Sequence, residues 1–272
     1  MWSSRKPRSL NRLDLPGKVW LASDIHLGPA TPATRQAFER FLALAGEQAD
    51  ALLLCGDIFD AWIGDDAALS DPPAWLQASL YEMALTASKI PVWIGRGNRD
   101  FLMGPALAKH VHAQLLDDVV CLDTDYGPVL VSHGDEYCTA DAGYQRFKRI
   151  VRNKWVQRAY LALGLRQRRR IADYARRRSM SSHAGKRPDI MDVTPPAIEQ
   201  AFRRTGARAM VHGHTHRPAR HDIHIDGQML TRIVLPDWDF DHGEKRGGWA
   251  VIDRHGIRLE QLRAGLLPAQ PA

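Results

Sequence analysis

At 272 residues, 44% hydrophobic and 25% charged, the chain has the composition of a soluble globular protein with one large domain or two small ones. No apolar run approaches the roughly 20 residues needed for a membrane-spanning helix. The net charge of +6 is uneven: residues 142–187 hold 15 Lys and Arg against Asp173 alone, a local +14 that leaves −8 for the rest. Such a basic segment suits an anionic partner, whether nucleic acid, phospholipid surface or phosphorylated substrate.

In chain order, residues 1–17 are basic and lack both an apolar stretch and a small-residue cleavage site. They are expected to form a solvated arm and not a secretory signal. Short apolar runs follow at VWLAS, ALLLCG, VWIG and PVLVSHG, with helix-like stretches at about 32–46 and 72–88 between them. This alternation predicts buried strands with helices packed outside. After a helical stretch near 195–205, the runs ARAMVHG, ARHDIHI, MLTRIVL, GWAVID and IRLEQL predict a second, largely antiparallel sheet. The fold class is therefore α/β, a two-sheet sandwich with loops converging at one edge.

Residues 141–190 interrupt this pattern. Apolar residues from Tyr144 to Leu163 recur at rough helical spacing among arginines, Gly164 is expected to end that helix, and RQRRRIADYARRRS starts another. The plain reading is a solvated basic hairpin; the functional one is a helical cap over the ligand-bearing loops. The domain proper then spans 18–265, with a tail at 266–272. Cys55, Cys121 and Cys138 show no CxxC spacing, as expected for unpaired thiols in a reducing cytosol.

Five short blocks carry the chemistry: SDIHLG, CGDIFD, GRGNRDF, SHGDEY and VHGHTHRP. They place Asp24, His26, Asp57, Asn98, His133, His214 and His216 just after apolar runs, on loops at strand ends. Asp24 and His26, like His214 and His216, are spaced i and i+2, so side chains leaving one face of a strand end reach one metal ion. Gly56 lets the backbone turn before Asp57, freeing its carboxylate to bridge two ions. Oxygen and imidazole donors without thiolate favour Mn²⁺, Fe²⁺ or Mg²⁺ over structural zinc. His212 is expected to support the site from behind, and His110, His112, His221, His224, His242 and His255 are taken as caps or surface residues.

The order DxH, GD, GN, H and GHxH resembles the calcineurin-like metallophosphoesterases over most of residues 18–220. The resemblance implies two divalent ions, with Asp24, His26, Asp57 and His216 on one and Asp57, Asn98, His133 and His214 on the other. Where many members carry a histidine after the GN asparagine, this chain has Arg99. Arginine stays charged, so it is a poor general acid but a good phosphate clamp. That favours a leaving group that is itself a phosphate, and hence pyrophosphate cleavage.

Longer blocks, FDAWIGDD, GNRDFLMG, HGDEYCTADAGYQRF, IMDV and HGHTHRPARH, resemble the UDP-2,3-diacylglucosamine pyrophosphatases of lipid A biosynthesis. That resemblance implies hydrolysis of UDP-2,3-diacylglucosamine to UMP and 2,3-diacylglucosamine 1-phosphate (lipid X), by metal-activated water attacking the α-phosphorus. It implies Mn²⁺ as cofactor and a peripheral position on the anionic cytoplasmic face of a Gram-negative inner membrane. No nucleic acid or obligatory protein partner is expected. Asp57, Asn98, Arg99 and His214 are the implied catalytic residues. Asn98, Arg99, Asp141, Tyr144, Arg176, Ser179, His183, Lys186 and His214 are the implied substrate contacts, His183 standing where relatives carry asparagine. Asp65 and Asp66 are expected mainly to support their loop.

Overall fold

The computed structural model describes residues 10–183 and 192–262, with backbone alone for 176–183. One sheet is built on three parallel strands, β2 (Val19–Ala22), β3 (Ala51–Leu54) and β4 (Val92–Ile94). All their residues are buried because the sheet is covered on both faces. Trp20, Ala22, Leu52, Leu54, Val92 and Ile94 face a core shared with α1 (Pro32–Gln48) and α3 (Ala74–Ala87). The alternate residues Val19, Leu21, Ala51, Leu53 and Trp93 face the second sheet instead. Each apolar run is thus divided residue by residue between two cores.

The second sheet has the order β1 (Asn11–Asp14), β6 (Val119–Thr124), β7 (Gly127–Ser132), β8 (Ala209–His212), β10 (Gln228–Val234), β9 (Ala219–Ile225). Val120, Leu122, Val129, Val131, Ala209, Val211 and Ile233 fill the space between the sheets. On its outer face Leu130, Met210 and Ile225 meet Ile198 and Phe202 of α8 (Pro195–Thr205). The result is an α/β sandwich of two sheets with helices outside both.

The strand-like runs of the second half do not make a sheet of their own. β11 (Gly248–Asp253) pairs antiparallel with β2, and β12 (Gly256–Gln261) follows it, so both extend the first sheet, whose far edge is β5 (Gln114–Leu115). GWAVID behaves as a central strand: Trp249 and Val251 join Trp20 on the helical side, while Ala250 and Ile252 face the other sheet. In the second sheet β7, β8 and β10 run parallel, so its centre is not antiparallel.

Part of the basic N-terminal stretch is also structured. Asn11–Asp14 pair in parallel with Val120–Asp123, Leu13 packs on the inter-sheet core, and Arg12 forms an ion pair with Asp123.

The inserted segment forms three helices, α5 (Ala142–Val151), α6 (Lys154–Leu161) and α7 (Leu165–His183). The helix expected to run to Gly164 breaks at Asn153, whose side chain accepts hydrogen bonds from the Trp155 and Val156 amides at 2.9 and 3.4 Å. Two arginines tie the segment to the body. Arg152 donates to the Gly97 carbonyl at 3.0 Å and pairs with Asp118. Arg168, buried in α7, donates to the Ile63 carbonyl at 2.9 Å and pairs with Asp66 of the short helix α2 (Asp65–Leu69).

Candidate metal centre

All five ligand-bearing blocks emerge at one end of the two sheets, from the loops after β2, β3, β4, β7 and β8. Strand alternation does not aim the side chains. Asp24, His26, Asp57, His214 and His216 all have left-handed backbone, with φ of 56°, 53°, 51°, 70° and 52°. Asp and His enter this region more readily than bulkier residues, yet such a position costs of order 1–3 kcal/mol. Local bonding holds it. Asp24, His26 and Leu27 amides donate to the carbonyls of Gly56, Asp57 and Ile58 at 3.1, 3.0 and 2.9 Å, so the first two loops run side by side.

Close approach of backbones requires glycine at two points. A Cβ on Gly213 would lie 2.1 Å from Asp24 Oδ2 and from Ser23 Oγ. One on Gly56 would lie 2.6 Å from the Gly97 amide nitrogen, and Gly56 itself has φ of 100°.

The seven side chains form one connected cluster. His216 Nε2 lies 3.3 Å from Asp24 Oδ1 and 3.4 Å from His26 Nε2. Asp57 Oδ2 sits between His26 Nε2 at 4.0 Å and His133 Nε2 at 3.6 Å. Asn98 Oδ1 lies 3.1 Å from His133 Nε2 and 3.0 Å from His214 Nδ1. Among the described residues, two donor groups meet the spacing for a shared cation: Asp24, His26 and His216, and Asp24, Asp57 and His133.

Electrostatics reflect burial of many charges together. Burial, with Asp100 and Asp24 nearby, pushes the Asp57 carboxyl up to about 7. Burial also acts on Asp24, but His216, His133 and His26 outweigh it and hold that carboxyl below the usual range. Burial lowers His26 to about 4 and His214 to about 3, leaving neutral imidazoles able to donate a lone pair. For His133, burial is outweighed by Asp57, Asp24, Asp135 and Asp100, which raise it to about 9.

These residues fit a divalent ion. Asp24 Oδ1 is buried without a hydrogen-bond partner although it faces His216, and an uncompensated carboxylate oxygen there is costly. Carboxylate, amide oxygen and imidazole suit a hard or borderline cation. The Cys55 thiol is not among the donors; it is buried against the Leu53 carbonyl.

Other charged residues hold this arrangement in place. Asp100, fully buried, accepts from the amides of Asp57, Ile58, Phe59 and Gly97 at 3.2, 2.7, 3.3 and 2.7 Å, locking two ligand loops together. Asp100 sits inside the GNRDF block, but nothing in that string says its acceptors point backwards. His212 is buried behind the cluster: Arg232 donates to its Nε2 at 3.1 Å, which leaves Nδ1–H for the Gly213 carbonyl at 2.9 Å. Asp237 lies behind His216 and gave no sequence signal. Asp65 accepts from the Gly104 and Leu107 amides and caps α4 (Pro105–His110), so its role is structural.

Of the substrate contacts implied by sequence, Arg99 lines the cluster, its amide donating to Asp57 Oδ1 at 2.7 Å and its guanidinium 3.9 Å from Asp60. The Tyr144 ring stacks over His214 at 5.9 Å while its hydroxyl donates to Asp135 at 2.5 Å. Asp141 caps α5 by accepting from the Tyr144 amide at 2.9 Å. The side chains of Arg176, Ser179 and His183, and the whole of Lys186, lie outside the described residues.

The sequence profile of the calcineurin-like phosphoesterases matches residues 17–218. The chain is 53% identical to a UDP-2,3-diacylglucosamine hydrolase of Bordetella pertussis, across 93% of this chain and 98% of that protein. It is 43% identical to the protein of the same name from Aeromonas hydrophila, across 86% and 97%. A third, from Ralstonia nicotianae, is 39% identical across 94% and 92%. With the ligand-bearing loops gathered at one end of a two-sheet sandwich, the chain belongs to the calcineurin-like phosphoesterases and, within them, to the family of the UDP-2,3-diacylglucosamine hydrolases.

Proposed function

We propose that this protein hydrolyses the pyrophosphate bond of UDP-2,3-diacylglucosamine, giving UMP and 2,3-diacylglucosamine 1-phosphate (lipid X) in lipid A biosynthesis. The observation that carries this reading is Asp57 Oδ2 lying 4.0 Å from His26 Nε2 and 3.6 Å from His133 Nε2, so that one carboxylate would be available to both sets of donors. The names of the relatives point to the substrate.

In this reading Asp24, His26, Asp57 and His216 would hold one ion and Asp57, Asn98, His133 and His214 the other. The ions, for which we choose Mn²⁺, supply Lewis acidity toward phosphoryl oxygen and lower the pKa of water. Water attacks the α-phosphorus and the sugar 1-phosphate leaves. That leaving group needs no proton, which fits Arg99 beside Asn98 in place of a general acid. Arg99, Asn98 and His214 bind and orient the phosphates. Tyr144 over His214 closes one wall against the sugar, with Asp141 fixing the turn that presents it. Arg176, Ser179, His183 and Lys186 complete the contacts from the cap.

The protein works at the cytoplasmic face of the inner membrane, against anionic lipid. Among the described residues no helix is long and apolar enough to cross a membrane. The cap instead exposes Phe147, Ile150 and Trp155, the last 75% accessible, among arginines, a combination suited to an anionic interface. No nucleic acid or obligatory protein partner is invoked.

Mass spectrometry of products formed in ¹⁸O water tests the reaction, and label in UMP is expected. Label confined to the sugar phosphate would move the attack to the other phosphorus. Equal turnover of an unacylated UDP-sugar would remove the lipid assignment.

A further inference from the structure

The loop between β10 and β11 lies outside all five ligand blocks, yet it reaches the centre. The Trp238 amide donates to the Asp24 carbonyl at 3.0 Å, and the Trp238 ring packs edge-on against Phe38 and Phe41. Further along, Asp239 and Arg246 exchange backbone hydrogen bonds of 2.9 Å in both directions, closing the turn. That closure returns the Arg246 side chain to Asp237, where Nε and Nη2 both reach Oδ2, at 2.9 and 2.8 Å. The same Oδ2 lies 3.7 Å from His216 Nδ1.

His216 thus has two differently engaged ring nitrogens. Nε2 faces Asp24 and His26, inside the donor cluster. Nδ1 faces the buried Asp237 carboxylate. A metal-binding imidazole needs its lone pair on one nitrogen and its proton on the other, and a carboxylate beside the second fixes both tautomer and ring orientation. His216 has special need of such a partner, because it sits on a left-handed backbone and its side chain is 42% exposed.

We infer that Asp237, clamped by Arg246, is a positioning residue for His216, holding its Nε2 toward Asp24 and His26. The inference rests on the two-metal reading above and extends it to a residue pair contributed by a separate loop. Arg246 fixes the carboxylate, and the carboxylate, 3.7 Å from Nδ1, favours the proton staying on that nitrogen.

The test is calorimetric titration of the metal-free full-length protein with Mn²⁺, comparing wild type with Asp237→Ala, Asp237→Asn and Arg246→Gln. Asp237→Ala is expected to weaken one of two ions about 10–100-fold, the usual cost of losing an outer partner of a metal-binding histidine. The other ion keeps its affinity, and saturating Mn²⁺ restores much of the turnover. Asp237→Asn, which retains an acceptor oxygen and the side-chain volume, is expected to fall between. Arg246→Gln leaves the carboxylate in place and weakens the same ion less. Wild-type titration by both Asp237 variants, or equal weakening of both ions, would overturn the inference while leaving the two-metal reading intact. Wild-type protein that binds no Mn²⁺ would overturn both.

Discussion

Burial decides the protonation of single side chains in this protein, and His212 is the clearest case. Its surroundings, burial first and the Arg232 charge after it, lower its pKa from the ordinary 6.5 to about 4. Between those values the unfolded chain binds the proton and the folded chain does not. The stability tied to the neutral ring is therefore complete above about pH 6.5 and lost as pH falls toward about 4. Imidazole NMR should show His212 uncharged at pH 5.5, with Nδ1 protonated; a signal titrating near 6.5 would contradict this. Asp57 marks the opposite situation, a carboxylate tolerable in the interior only with cationic partners. Asp57→Ala should lower turnover by at least about 100-fold, more than loss of an outer partner costs, while circular dichroism stays native. Gly213 is fixed by contact: a methyl group there would displace Asp24 and Ser23. Gly213→Ala should cost about 1–3 kcal/mol in urea unfolding, as overpacking does, and weaken metal binding.

Elements in this fold are joined by a few polar clamps where apolar contact is sparse. Neither α5 nor α6 contains a buried residue, so polar contacts seat them: Lys148 pairs with Asp135 at 2.9 Å, Gln145 donates to the Asp135 carbonyl at 2.8 Å, and Arg152 and, through α7, Arg168 reach the body. Arg168→Ala removes bonds to the Ile63 carbonyl and to Asp66, whose exposure in water reduces their worth to about 1–2 kcal/mol. Hydrogen exchange should quicken in α7 and not in β2 or β3, with KM rising more than kcat falls. Uniform protection would show that other contacts seat the helix. Asp241 does comparable work from a distant loop: it accepts from the Ala33 and Thr34 amides at 2.9 Å, satisfying the start of α1, where Thr31 makes no capping bond.

At the scale of the molecule, the two sheets bring their loops to a common end, where a dense cluster of acids and imidazoles must share one small volume. Bound cations stabilise whichever state assembles them, by about 2.7 kcal/mol for each site at a hundredfold excess over Kd. Removing metal with a chelator should lower the Tm, and Mn²⁺ should restore it. No change in Tm would mean that the cluster is stable without ions.

The sequence by itself determined which residues converge. Each ligand follows an apolar run that must be buried, so each must emerge at a strand end, and the motif order pointed to phosphoester chemistry. It also showed the helical character of the inserted segment, because amphipathic spacing is local. Only the tertiary structure decided how the ligands are aimed. Left-handed backbone at five of them replaces strand alternation, and it is held by bonds between loops distant in sequence. The pairing of GWAVID with β2 and the second half's division between two sheets were equally hidden, because an apolar run does not specify its neighbour. Asp100, Asp237 and Arg246 were invisible for the same reason. Their partners lie on other loops, and a carboxylate's meaning depends on which amides, guanidinium or imidazole the fold brings to it.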